Sequence, residues 1–349
     1  MDFIRGMDVS SYYEMKDKGY AYYDEEGREV DVLEYAVKRG FNFARIRLWN
    51  EPEKVPLSGG YCNPDKTLGL AKKIKELGIG FVLDFHYSDF WADPGKQRKP
   101  DAWKNLSTEE LEEAVYRFTR DTLHAMDAAG AYPDMIQVGN EIRCGMLFPD
   151  GMLFPDEENY PGVKTPNWEN LARFLNAGIR AVRETQKGRD TKVILHLDQG
   201  GNHAFFQDWF DHILENGVED FDIIGMSYYP FWHGTFDDFR DNMDKLASRY
   251  GKDILIMETA YAFRRSDSFF GEELENAAGY PASQTSQKEV LERIIGLIAG
   301  VKENRGLGFI YWEPFVRMSE ESTEWGTCMA IMDENGRPTK GYEAITYQP

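Results

Sequence analysis

The sequence predicts a single (β/α)8 barrel spanning residues 1–349. Three observations carry that prediction. Eight short apolar runs read as strands, amphipathic helical segments fall between them, and no Pro/Gly/Ser-rich linker divides the chain. A doubly wound open sheet is the competing architecture. At this length it calls for a Gly-rich phosphate turn or a second domain, and the sequence has neither.

The strands fall at about Phe3–Val9, Phe43–Trp49, Gly80–Phe85, Met135–Asn140, Lys192–Leu197, Asp222–Tyr228, Ile254–Glu258 and Gly308–Trp312. Ser107 to Glu110 is a capping box that opens a helix with Leu111, Val115, Phe118, Thr122, Ala125 and Ala129 at helical spacing. Further helices are expected near Val32–Arg39, Lys66–Leu77, Trp168–Thr185, Phe236–Tyr250 and Gln287–Glu303. Gly40, Gly78, Gly130, Gly188 and Gly251 stand where helices should stop, because glycine takes the left-handed conformation of a helix C-terminus without strain. Helix-to-strand connections are short, as at Gly78-Ile79, whereas strand-to-helix connections such as His86 to Leu106 and Ile142 to Asn167 are long. Long loops at the carboxyl ends of strands are where barrels assemble active sites. One of these loops carries G-M-L-F-P-D twice in tandem, at 145–150 and 151–156, a local duplication and not a repeat architecture.

With 60 acidic and 40 basic residues the net charge is −20, which argues against nucleic acid as a partner. Cys62, Cys144 and Cys328 are odd in number and far apart, so no disulfide framework is expected. No segment is long and apolar enough to span a membrane, and the N-terminus lacks the apolar core of a signal peptide. Read as it stands, the chain is expected to be cytoplasmic; after removal of a signal peptide the same sequence would belong to an extracellular protein. A monomer with no cofactor and no metal is expected.

The chemistry gathers at the strand ends. Met135, Ile136 and Val138 lead into Gly139-Asn140-Glu141, and Ile254 to Met257 lead into Glu258, 117 residues after Glu141. Glu141 alone could cap the next helix, but two glutamates at the ends of apolar strands in different halves of the chain suggest a paired-carboxylate site. Other strand ends present Arg45 and Arg47, His86, Asn140, His196 and Asp198, Tyr228 and Trp312, and the aromatic-rich loops add Trp91 and Trp232. Singly, these have ordinary explanations: a barrel-floor ion pair for Arg45, a satisfied core histidine for His86, packing for Trp312. Packing does not predict polar residues at corresponding positions on seven of eight strands. Two carboxylates across a sugar-sized gap suit glycoside hydrolysis, one protonated to assist the leaving oxygen and one ionised to attack the anomeric carbon or activate water. An arginine beside Glu258 would hold it ionised, with Tyr228 and His196 as orienting partners and Trp312 as a flat face for a sugar ring.

These residues carry a resemblance. G-M-D-V-S-S at 6–11, R-I-R-L-W-N at 45–50, L-D-F-H-Y-S-D-F-W-A-D-P-G-K-Q at 83–97 and I-Q-V-G-N-E-I at 136–142 resemble glycoside hydrolase family 53, the endo-β-1,4-galactanases. So do I-G-M-S-Y-Y-P-F-W-H-G-T at 224–235, M-E-T-A-Y at 257–261 and Y-W-E-P at 311–314. The resemblance runs from the first strand to the last. It implies double-displacement hydrolysis of β-1,4-galactan in type I arabinogalactan, with Glu141 as acid/base, Glu258 as nucleophile, and Arg45, His86, Trp91, Asn140, His196, Asp198, Tyr228, Trp232 and Trp312 around the substrate.

The chain departs from the family pattern at Arg143-Cys144, at Phe148 where tryptophan is usual, and at Gln199 where asparagine is common. The first two, with the duplicated hexapeptide, bear on the distal sugar subsites. Bacterial members often hold calcium in the loop after strand seven, but here that loop reads A-F-R-R-S-D-S-F-F-G-E-E-L-E-N, a poor set of oxygen ligands. Glu272, Glu273 and Glu275 read instead as a solvated face or a helix start. Three alternatives stand beside the leading reading: a mannan- or glucan-cleaving relative of the same clan, a metal-dependent hydrolase using His86, His196 and Asp198, and a non-catalytic carbohydrate-binding barrel.

Overall fold

The computed structural model describes residues 2–317 and 325–348. Eight parallel strands close into a barrel: β1 (Ile4–Asp8), β2 (Phe43–Leu48), β3 (Gly80–Phe85), β4 (Met135–Val138), β5 (Lys192–Leu197), β6 (Ile223–Ser227), β7 (Asp253–Thr259) and β8 (Gly306–Tyr311). Closure is direct, since β1 pairs with β2 at Gly6↔Phe43 and with β8 at Ile4↔Gly308. Every expected strand is present, within two residues of its expected bounds.

The helices that follow the strands are α1 (Val32–Lys38), α2 (Pro64–Glu76), α3 (Thr108–Ala128), α4 (Trp168–Glu184), α5 (His203–Glu215), α6 (Phe236–Tyr250), α7 (Gln284–Ala299) and α8 (Gly341–Ile345). The capping box of α3 forms as read: Ser107 Oγ accepts from the Glu110 amide at 3.3 Å, and Glu110 Oε2 accepts from the Ser107 amide at 2.8 Å. Helix α5 was not expected from the sequence. Its buried residues Phe206, Trp209, Phe210 and Ile213 do have helical spacing, so the period was present in the sequence. Gly40, Gly78, Gly130 and Gly251 take left-handed φ values as the stop signals require. Gly188 does not. The chain there folds back on the end of α4, and a Cβ would stand 1.6 Å from the Val182 carbonyl oxygen, so close approach is what demands glycine.

Side chains alternate along a strand, so every second residue of each strand points into the barrel. At the amino end these inward residues are apolar, and Ile4, Phe43, Val82, Met135, Ile194, Ile223, Leu255, Met257 and Ile310 form one closed cluster. Two residues further along, the same columns turn polar and stay buried: Arg45, Asp84, Gln137 and His196. The barrel therefore has an oily floor and a hydrogen-bonded ceiling, and the loops above that ceiling form the site.

The tandem hexapeptides in the loop after β4 pair with each other. Gly145–Met146 and Gly151–Met152 form a two-stranded antiparallel ribbon with Gly145 opposite Met152. The copies differ in environment: Phe148 is buried, whereas Phe154 is 46% exposed. The acidic run after β7 begins a short helix, Glu272–Ala278, in which Glu275 is held by Arg265 Nε at 2.9 Å.

Candidate active site

Arg45 organises the ceiling. Its Nη1 lies 2.9 Å from Glu258 Oε1 and 3.3 Å from Asp8 Oδ2. Nη2 lies 2.8 Å from Asp84 Oδ2 and 2.6 Å from Asn140 Oδ1, and Nε donates to Gln137 Oε1 at 3.1 Å. A guanidinium can satisfy this many acceptors because its donors diverge in one rigid plane.

Glu258 reaches that guanidinium through a break in alternation. Strands β6 and β7 pair in step to Met226↔Ile256, then skip to Ser227↔Glu258. The extra residue is a β-bulge, which lets Glu258 turn inward directly after the inward-facing Met257. The Tyr229 hydroxyl donates to Glu258 Oε2 at 3.1 Å, so both carboxylate oxygens are held.

Glu141 is aimed by backbone strain. Gly139 has φ +84°, and a Cβ there would meet Ile142 Cγ2 at 2.6 Å. Glu141 itself sits at φ 45°, ψ 50°, a left-handed conformation that costs a non-glycine residue about 1–3 kcal/mol and persists where surrounding contacts fix it. Its Oε1 accepts from Ser227 Oγ at 2.6 Å. Carboxyl oxygens of Glu141 and Glu258 and a ring nitrogen of His196 lie within 4.8 Å of one another.

Burial pushes the Glu141 carboxyl well above the usual range, and the nearby charges of Glu258 and Asp198 add to it. Burial also pushes Glu258 up to about 7, against the pull of Arg45. Two carboxyls this close share protons. Glu258 has an arginine and a tyrosine to hold its charge, whereas Glu141 has a serine hydroxyl, so Glu141 keeps the proton. Burial drives His196 well below the usual histidine range, and the ring is neutral.

The cleft above this pair has a volume of about 500 Å³ and is lined by Trp91, Asp93, Asn140, Glu141, Asp198, Tyr229, Trp232, Glu258, Phe269, Trp312 and Trp325, among others. Trp91 and Trp312 meet edge to face at 6.1 Å, and Trp312 meets Trp325 at 4.5 Å. Trp91 is braced from behind by Arg47, whose guanidinium carbon lies 3.9 Å from its ring centroid. On the other side Trp232 packs against Phe269 at 5.8 Å and is 48% exposed.

The family model Glycosyl hydrolase family 53 matches residues 4–341. The chain belongs to that family. It is 36% identical to the arabinogalactan endo-β-1,4-galactanase of Cellvibrio japonicus, over 93% of this chain and 83% of the relative. The solved family 53 catalytic domain of Ignisphaera aggregans superposes with a TM-score of 0.89 at 38% identity, covering 99% of this chain and 96% of that one. A fungal β-1,4-galactanase superposes with a TM-score of 0.85 at 27% identity, covering 99% of each chain. The chain is a glycoside hydrolase.

Of the eleven residues read from the sequence, seven line the cleft: Trp91, Asn140, Glu141, Asp198, Trp232, Glu258 and Trp312. Arg45, His86 and His196 lie beneath it, buried, and act on the residues above. His86 is a satisfied core histidine. Its Nε2 lies 3.0 Å from Asp84 Oδ2, while Nδ1 accepts from Trp49 Nε1 at 3.2 Å and from the Ala92 amide at 3.1 Å. Tyr228 does not reach the site. Alternation turns it outward, where it stacks on Phe239 at 3.8 Å and donates to the Gly234 carbonyl oxygen. The orienting tyrosine is its neighbour Tyr229, and the inward column Ile223, Gly225, Ser227 was the signal that pointed to it. The same rule picks out Asp84 and Gln137, which the sequence reading passed over.

The metal-hydrolase alternative fails on this geometry. Both His86 nitrogens are engaged, and Asp198 Oδ1 is taken by Arg143 Nε at 2.8 Å. Among the described residues the closest grouping of metal-ligand type is Glu141, His196 and Glu258, and there Arg45 already occupies Glu258 Oε1. Arg143, one of the departures from the family pattern, thus closes an ion pair at the edge of the cleft.

Proposed function

We propose that the chain is an endo-acting, retaining β-1,4-galactanase that cleaves β-1,4-galactan, including that of type I arabinogalactan. The observation that carries the reading is the approach of the Glu141 and Glu258 carboxyl oxygens to within 4.8 Å. Retaining glycosidases hold their carboxyl groups about 5–5.5 Å apart, and inverting enzymes leave about 6.5–9.5 Å for a water molecule. The substrate comes from the family and from the galactanase named among its relatives.

In this reading Glu258, held ionised by Arg45 and Tyr229, attacks the anomeric carbon while Glu141 gives its proton to the departing glycosidic oxygen. Glu141, now a carboxylate, takes a proton from water as that water displaces Glu258 from the sugar. Two inversions give net retention. Trp91 and Trp312 offer apolar faces to sugar rings across the reacting bond.

Digestion of linear β-1,4-galactan, followed by proton NMR of the first products, tests the reading. Short galacto-oligosaccharides appearing first as β-anomers support it, and first appearance as α-anomers overturns the mechanism. Cleavage of mannan or glucan in place of galactan overturns the substrate. Glu258→Ala should abolish turnover, and Glu141→Ala should lose most activity on polysaccharide but less on aryl glycosides, whose leaving groups need little acid assistance.

A further inference from the structure

We infer that Ser227, oriented by His196, is a positioning residue for Glu141 that fixes which carboxyl oxygen carries the catalytic proton. The inference rests on Glu141 being the acid/base. Ser227 ends β6 and is fully buried. Its Oγ lies 2.6 Å from Glu141 Oε1 and 2.9 Å from His196 Nε2, so it stands between the carboxyl and the ring.

A serine hydroxyl has one proton to give, and the histidine decides its direction. A neutral ring protonated at Nδ1 would claim the serine proton at Nε2. A ring protonated at Nε2 donates to Oγ and leaves the serine proton for Glu141. The surroundings of Nδ1 select the second arrangement. Nδ1 accepts from the Glu141 amide at 3.4 Å, a backbone N–H that can only donate, while Gln137 Nε2, 3.2 Å away, spends its two protons on Asp84 Oδ1 and the Gly139 carbonyl oxygen. Asn140 Oδ1 is also 3.0 Å from Nδ1, but it already accepts from the charged Arg45 Nη2 at 2.6 Å. Nδ1 is therefore an acceptor, and the chain runs His196 Nε2–H to Ser227 Oγ, then Ser227 Oγ–H to Glu141 Oε1.

Oε1 accepts that bond whether Glu141 is a carboxylate or, through its carbonyl oxygen, an acid. The mobile proton accordingly sits on Oε2, leaves from there to the glycosidic oxygen, and returns there from the attacking water. The serine bond is stronger to the carboxylate than to the acid, so it also favours ionisation. Glu258 on β7, Asp198 after β5 and Asp93 in the loop after β3 all oppose ionisation of Glu141. The nearby cation Arg143 is engaged by Asp198, and the Arg45 guanidinium by Asp8, Asp84 and Glu258. His196 and His233 both have proton affinities lowered by burial, which leaves Ser227 as the donor that eases the proton off Glu141.

The test is the pH profile of kcat/KM on linear β-1,4-galactan for the wild type, Ser227→Ala and Ser227→Thr, with melting curves for each. The basic limb reports the acid form of Glu141. Ser227→Ala should move that limb upward by on the order of one pH unit, while Ser227→Thr, which keeps the hydroxyl, leaves it in place. Because folding stability itself changes with pH, the melting curves are recorded across the same range, and the limb is read only where each variant stays folded. An unmoved limb in Ser227→Ala, or an equal shift in both variants, overturns the inference and leaves the proposed function standing. A wild type inactive on galactan overturns both.

Discussion

Arg45 Nη1 lies 2.9 Å from Glu258 Oε1 while Nη2 lies 2.6 Å from Asn140 Oδ1, so one guanidinium ties together the two strand ends that carry the carboxyl pair. Arg45→Lys keeps a charge but loses the fork, and kcat on galactan should fall by about 100-fold or more. Arg45→Met leaves Asp8, Asp84 and Glu258 buried without a countercharge and should cost about 3–5 kcal/mol in urea unfolding. A near-normal kcat for Arg45→Lys would falsify the assignment of Arg45 as the group that holds Glu258 in place.

Tyr228 and Tyr229 are adjacent yet serve different parts of the molecule. Tyr229→Phe removes the hydroxyl that donates to Glu258 Oε2, and kcat should drop by about 10-fold or more with the melting temperature nearly unchanged. Tyr228→Phe removes a bond to the Gly234 carbonyl oxygen, costing about 1 kcal/mol of stability and leaving kcat intact. The reverse pattern would show that the alternation has been misread.

Glu141 trades stability for chemistry. Its folded proton affinity is raised, so between the unfolded carboxyl value and that raised value the folded state holds more protons than the unfolded state. Stability therefore falls as pH rises through that interval. Glu141→Gln removes the effect: it should melt higher than the wild type at pH 7–8, with the gain vanishing towards about pH 4. Parallel melting curves at every pH would contradict this.

His233 acts with the opposite sign. Burial lowers it from the usual value near 6.5 to about 4, so the unfolded chain binds a proton in this window that the folded chain does not. Stability should decline as pH falls from about 6.5 to about 4, then stop declining on this account. His233→Gln should flatten that slope in pH-resolved urea titrations. The slope is not abolished, because His196 is depressed in the same direction.

The barrel was legible because its strands are apolar runs bounded by turn signals, and the two glutamates because each terminates such a run. What the sequence reading lacked was direction. Val82 to Asp84 and Ile223 to Ser227 to Tyr229 follow one alternating face, and applying that rule would have exchanged Tyr228 for Tyr229 and added Asp84. Glu258 is the opposite case. Strict alternation from Met257 would turn it away from the barrel, and the bulge that turns it inward leaves no mark in the sequence. Helix α5 was legible too, since Phe206, Trp209, Phe210 and Ile213 share one face at helical spacing in the sequence.

The two G-M-L-F-P-D copies are identical in sequence, yet each is the other's strand partner, and their phenylalanines end in opposite environments. A single tandem copying event delivers a strand together with the edge it pairs to. Such an insertion brings part of its backbone bonding with it, and neighbours supply the rest, as where the Gln97 carbonyl oxygen accepts from the Phe148 amide. The loop beside Glu141 is thereby longer by six residues, and the second phenylalanine, Phe154, is left at the surface.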